Sequence, residues 1–223
     1  MKICGITTEE DALLAVALGA DALGFVFASG SPRQITPAEA RDVLKRLPPG
    51  TVTVGVFRDE RPGRVVEIVN SVGLGGAQLH GREPSSEVRY VRKRVPFVIQ
   101  GFRAGDPAVV TAADGKADIV LLDAPAPGSG KVFDWSLAEG VPAGMRLLIA
   151  GGLTPDNVGE AIQRVRPWGV DVSTGVETEP GSGRKDARLL ARFFDEARRA
   201  GEQIESDGWV PADAAPYDWQ ADA

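Results

Sequence analysis

Two residues of this chain are candidates for proton transfer: Cys4, in the opening "KICGIT", and Asp123, closing the run "DIVLLD". A thiol and a carboxyl at the mouths of different strands can face each other across a pocket, and together they form a candidate acid/base pair. Cys4 is the only cysteine, and a lone cysteine is as a rule a small buried core residue. Its case therefore rests on what surrounds it. Gln78 and His80 in "AQLHG" and Asp171 and Ser173 in "DVSTG" stand in comparable places, each closing or following a short apolar run. For Gln78 and His80 the simpler role is binding or orientation at a pocket rim, not proton transfer. Arg33, in "SGSPRQI", offers the paired N–H donors that clamp a carboxylate; the plain alternative is a surface arginine on a loop. Two glycine-bearing turns, "IAGGLTPDNV" and "DVSTGVE", supply Gly151, Gly152, Ser173, Thr174 and Gly175. Glycine lets a backbone approach a ligand closely with its N–H groups aimed inward, and such groups suit a phosphate. One Gly-Gly pair is more often merely a turn; two such turns in succession say more.

Positioning these groups falls to alternating elements. Eight β-like runs occur: 2–4, 22–27, 51–57, 76–79, 96–102, 118–123, 146–150 and 170–173. Several are continuous apolar runs, as in strands covered on both sides. Helical patterns fill the gaps. "TTEE" gives Thr7 as N-cap with Glu10 closing a capping box, and "TPAEA" does the same with Thr36, Pro37 and Glu39. Thr154 and Pro155 repeat the logic. The first helix carries Ala12, Leu13, Val16 and Ala17; the last carries Leu189, Leu190, Phe193, Phe194 and Ala197 on one face. Weaker helices are expected over 62–72, 83–94 and 106–113, and a short one near Asp134. Eight strand–helix units in about 200 residues, with no linker, point to an α/β fold: a single (β/α)8 barrel. An open doubly wound sheet is the alternative. In a barrel, chemistry sits at the C-terminal strand ends, where Cys4, Asp123, Gln78, His80 and Asp171 fall.

A free thiol is mostly protonated at neutral pH, so Cys4 needs nearby positive charge. Lys2 is close in sequence, but strand alternation is read here as turning it away, and the role stays unassigned. An ordinary carboxyl is ionised at neutral pH, so an acid at 123 requires burial or a neighbouring anion.

Composition excludes several classes. One cysteine and one histidine rule out an intrachain disulfide framework and argue against a cysteine- or histidine-rich metal site. No apolar run reaches the roughly 20 residues of a membrane span, and the start lacks the layout of a secretory signal. A cytoplasmic location is expected, with neither membrane nor nucleic acid as partner. The net charge of −6 is local. Residues 201–223 hold six acids and no Lys or Arg, and the remaining 25 acids match the 25 basic residues. The expected organisation is a barrel over 1–200 and an acidic tail over 201–223, mobile or draped on the surface.

The fragments "KICGIT", "GADALGFVF", "SPRQI", "VGVF", "QLHG", "LLDA", "GSGKVFDW", "AGGLTPDNV", "GVDVSTGVE" and "KDARLLARFF", in that order, resemble the phosphoribosylanthranilate isomerases of tryptophan biosynthesis. The resemblance covers nearly all of 1–200. It implies a cofactor-free Amadori isomerisation of a small phosphoribosyl substrate by a monomer or homodimer. Asp123 is then the general acid, Cys4 the base, Arg33 the ligand of the anthranilate carboxylate, and the loops carrying Gly151, Gly152, Ser173, Thr174 and Gly175 the phosphate seat. Asp171 falls near the reacting centre. Three departures are small: Pro-Gly-Ser-Gly in the loop after strand six where a second glycine and a threonine are common, Ser-Thr-Gly after the last strand where Ser-Ser-Gly is common, and a "PGSGRKD" loop of slightly greater length. The histidine-pathway Amadori isomerase uses aspartates at strands one and five; here these positions read Cys4 and "VIQGF". A Schiff-base aldolase wants a strand-end lysine, but Lys116 precedes strand six. The lysine and glutamate of indole-glycerol-phosphate synthase are not visible. A non-catalytic barrel that binds a phosphorylated metabolite is the remaining alternative.

Overall fold

The computed structural model describes residues 1–123 and 140–206; the loop opening "APAPGSGKVFDW" and the helix expected near Asp134 lie outside the described residues. Eight parallel strands close into a barrel in sequence order: β1 (Lys2–Cys4), β2 (Ala22–Val26), β3 (Val52–Phe57), β4 (Gly76–Leu79), β5 (Phe97–Arg103), β6 (Ile119–Asp123), β7 (Arg146–Ala150) and β8 (Gly169–Val172). The helices are α1 (Glu9–Ala17), α2 (Pro37–Leu44), α3 (Pro62–Val72), α4 (Ser85–Arg92), α5 (Ala112–Gly115), α6 (Val158–Val165) and α7 (Ala187–Ser206). The barrel, not the open sheet, is the architecture. Its last seam joins β1 to β8, with Lys2 opposite Asp171 and Ile3 opposite Val172.

Side chains two apart share a face of a strand, and this divides the core in two. Ala22, Val54, Phe97, Ile99, Ile119, Leu121, Leu148 and Ala150 fill the barrel interior. Ile3, Leu23, Phe25, Phe57, Leu79, Val98 and Ile149 face outward and pack under the helices. The continuous apolar runs follow from this double burial. Toward the C-terminal mouth the inward positions turn polar: Cys4, Gln78, Asp123 and Asp171.

Helix starts differ from expectation in two places. Thr8, not Thr7, caps α1, its side chain accepting from the Asp11 N–H; Thr7 instead donates to the Gly183 carbonyl at 3.1 Å. Thr154 and Pro155 precede α6 without capping it. Asn157 reaches back, accepting from the Thr154 N–H at 2.8 Å and donating to the Gly152 carbonyl at 2.9 Å. That side chain holds residues 152–157 as a turn, so the helix begins only at Val158. The Thr36–Glu39 capping box forms as read. Leu13 is 37% exposed, because α1 buries Ala12 and Ala15 instead. The segment expected as one helix over 106–113 is a 3-10 turn, Pro107–Thr111, followed by α5. The last helix runs to Ser206, with Ala200 and Ile204 buried, so the first residues expected in the tail belong to it.

Candidate active site

The strand ends surround a cavity of about 310 Å³. Cys4, Arg33, Gln78, His80, Asp123, Gly151, Gly152, Asp171, Ser173, Thr174 and Gly175 all line it. Every site residue named from the sequence is therefore brought to one place. Around the ring, β1 and β6 flank the β7–β8 turns symmetrically, one strand removed on each side. Cys4 and Asp123 thus face each other across the cavity, with the glycine turns between them. At the ends of β2 and β3, Val26, Ala28 and Val56 make an apolar strip beside Cys4.

The turns are built for close approach. Gly151 and Gly152 have φ of +85° and +65°, values that disfavour any side chain. A Cβ on Gly175 would lie 1.9 Å from the Leu153 carbonyl oxygen, so the turn after β8 rests directly on the backbone of the turn after β7.

Asp123 belongs to a polar chain. Gln78 Nε2 lies 3.0 Å from His80 Nδ1, and His80 Nε2 lies 3.2 Å from Asp123 Oδ2. With Gln78 donating, the imidazole carries its proton on Nε2 and donates to Asp123. That leaves Oδ1 for a ligand. Two buried polar atoms at the cavity, Gln78 Oε1 and Ser173 Oγ, have no hydrogen-bond partner among the described residues; a buried polar atom normally finds one, and a polar ligand would supply it.

Cys4 is 8% exposed. Burial pushes its thiol above the ordinary range, and Asp171 pushes it the same way; the Lys2 and Lys185 charges pull against them. The sequence reading of Lys2 is corrected here. Positions 2 and 4 are two apart on one strand and so share the inner face. Lys2 is only 3% exposed, and its Nζ donates to Asp171 Oδ1 at 2.9 Å. Burial disfavours the ammonium, but Asp171 and then Cys4 more than offset this and hold Lys2 above its usual range.

Arg33 reaches the cavity from the loop after β2. Its Nε and Nη2 donate to the two oxygens of Glu177, at 2.5 and 2.8 Å, and Nη2 also to Thr174 Oγ1 at 2.8 Å. Glu177 accepts in addition from the Gly181 N–H at 2.8 Å and from Lys185 Nζ at 3.3 Å. The Glu177 and Lys185 side chains are fully buried. Burial alone would raise the Glu177 carboxyl, yet Arg33, Lys185 and Gly181 hold it below the usual range. Lys185 is lowered by burial, which Glu177 only partly counters. Sequence reading missed Lys2, Glu177, Lys185 and also Arg58, an exposed cavity residue just past β3. Only Lys2 had a visible signal, its spacing from Cys4.

No cluster of metal-binding side chains occurs among the described residues, and none of their helices is long and apolar enough to cross a membrane. A family model described as N-(5'-phosphoribosyl)anthranilate isomerase matches residues 1–196. The protein of that name from Trichlorobacter lovleyi is 47% identical over 207 residues, covering 90% of this chain and 98% of the relative. The crystal structure of phosphoribosyl anthranilate isomerase from Thermus thermophilus superimposes with a TM-score of 0.80 at 43% identity, covering 89% of this chain and 98% of that one. Another structure of such an enzyme, in complex with reduced 1-(o-carboxyphenylamino)-1-deoxyribulose 5-phosphate, gives 0.77 at 39% identity, covering 89% and 97%.

Replacing Glu177 with Gln strands the Lys185 charge in the interior, and breaking a buried pair this way costs roughly 3–5 kcal/mol. A melting temperature lower by on the order of 10 °C is expected. The wild-type stabilisation is present above about pH 4.3, the value for unfolded glutamate, and is lost as pH falls through the lower folded value. Melting curves between pH 3 and 7 should show that acid limb in the wild type and a weaker one in Glu177→Gln.

Proposed function

This chain belongs to the N-(5'-phosphoribosyl)anthranilate isomerase family and catalyses that isomerisation in tryptophan biosynthesis, and we propose that Cys4 and Asp123 are its base and acid. The observation that carries this assignment is their common cavity, entered from β1 and β6, with the two glycine turns between them. The phosphate sits on the Gly151–Gly152 turn and on the Ser173–Gly175 turn, where a short helix, Thr174–Val176, begins with N–H groups that have no acceptor inside the helix. The sugar then spans the gap between β1 and β6. Asp123, through Oδ1, protonates the furanose ring oxygen; the bond from that oxygen to C1′ breaks, and an iminium forms at C1′. The Cys4 thiolate removes the proton from C2′, giving an enolamine. Tautomerisation returns a proton to C1′ and takes one from O2′, which leaves the ketone. Gln78 and His80 orient Asp123, and Asp171 faces the reacting carbons.

The aryl group points away from the phosphate, toward the apolar strip of Val26, Ala28 and Val56. Its carboxylate meets Arg33, whose Nη1 remains for a ligand while Glu177 fixes the other two nitrogens. The substrate is thus held by backbone N–H groups at its phosphate and, at its carboxylate, by a guanidinium that is itself bonded to Thr174 of the same turn. The enzyme works as a monomer or homodimer in the cytoplasm. Neither rival acid–base set is present: β5 reads FVIQGFR, without a carboxylate, and β6 ends in Asp123, not lysine.

Loss of the aminobenzoate fluorescence of freshly made phosphoribosylanthranilate reports turnover. Cys4→Ala and Asp123→Asn should each lower kcat by roughly 10²–10⁴ while the affinity for the reduced product analogue changes little. A near-normal rate in either variant removes that residue from the mechanism. Gly24→Ala tests the seating of the thiol. The added methyl would lie 2.8 Å from Cys4 Sγ and 3.1 Å from Lys2 Nζ, and a displacement approaching 1 Å can cost about 100-fold. A fall in kcat of that order is expected, with the circular dichroism of a folded barrel retained.

A further inference from the structure

The barrel interior holds one charge pair whose presence packing does not explain. Lys2 and Asp171 are register partners across the β1–β8 seam, 3% and 6% exposed. Ala22, the register partner of Lys2 on β2, is apolar and belongs to the interior core. A buried ion pair generally adds little stability over an apolar pair of similar volume. The ammonium is nonetheless fixed beside the thiol: Nζ and Sγ both crowd the space that glycine leaves open at position 24.

We infer that Lys2 is a positioning residue of the reaction, its ammonium held in place by Asp171 as the counter-charge of the Cys4 thiolate. The inference rests on Cys4 as the base and adds what sustains that base. Asp171 has two effects. It anchors the ammonium, and its own negative charge opposes the thiolate. The other charged groups facing Cys4 are Lys185 and Arg33, from the β8 and β2 loops, with Arg58, His80 and Asp123 elsewhere on the cavity wall. All five are the same in every variant compared.

Cys4 is the only cysteine, so the pH dependence of iodoacetamide alkylation of the full-length protein reads this thiol alone. The expected order of alkylation midpoints, highest first, is Lys2→Met, then Lys2→Met/Asp171→Asn, then wild type, then Asp171→Asn. At pH 8 Lys2→Met should react at least tenfold more slowly than wild type. The double variant leaves no unpaired charge, so it keeps the test open if the single variant fails to fold. The ascending limb of kcat/KM against pH should move with the alkylation midpoint. Midpoints unchanged in the folded Lys2 variants, even with turnover lost, would make Lys2 purely structural and overturn the inference. Midpoints that shift while the rate limb stays put would instead remove Cys4 as the base, and with it any part for Lys2 in the reaction.

Discussion

Closure of the barrel between β1 and β8 is the constraint on which the site depends. That seam sets Lys2 beside Asp171, 169 residues away, and so carries the first strand into the neighbourhood of the last two loops. Without it Cys4 would end a three-residue strand with nothing across from it. Ring closure also fixes angular positions. Once eight strands are joined in order, the side chains at the mouths of β1 and β6 must converge, and the loops after β7 and β8 must lie between them. Pairing of backbone groups thus determines the spatial relation of two groups far apart in the chain.

The charged groups around the cavity form a nearly self-neutralising set. Lys2 answers Asp171, and Arg33 with Lys185 answers Glu177. Buried carboxylates hold these cations at fixed positions, and the local fields are therefore directional and do not sum to a diffuse attraction. This agrees with the formally balanced charge of residues 1–200.

Much of this was legible in the sequence. The strand–helix cadence gave the barrel, because double burial makes each strand a short apolar run and each helix an amphipathic one. The residues at the mouth were found because β6 ends in Asp123 and β8 carries Asp171 against that apolar background. Lys2 differs from the sequence expectation because on a strand i and i+1 diverge but i and i+2 share a face. Glu177 and Lys185 were beyond reach for a different reason. In sequence they are two ordinary charges in a loop, and nothing local announces that Glu177 bonds Arg33, 144 residues distant. The cap of α1 moved by one residue because Thr7 and Thr8 are both competent, and long-range bonding to Gly183 claims the first.

The backbone contact between Gly175 and the Leu153 carbonyl has a bearing on how such barrels can be recombined. The two turns are in effect one composite part contributed by consecutive βα modules. A chimera whose junction falls between β7 and β8 would mate surfaces shaped for different neighbours, whereas a junction placed before β7 transfers the part whole. Exchange of barrel segments between relatives should accordingly succeed in blocks that keep the final quarter of the ring intact.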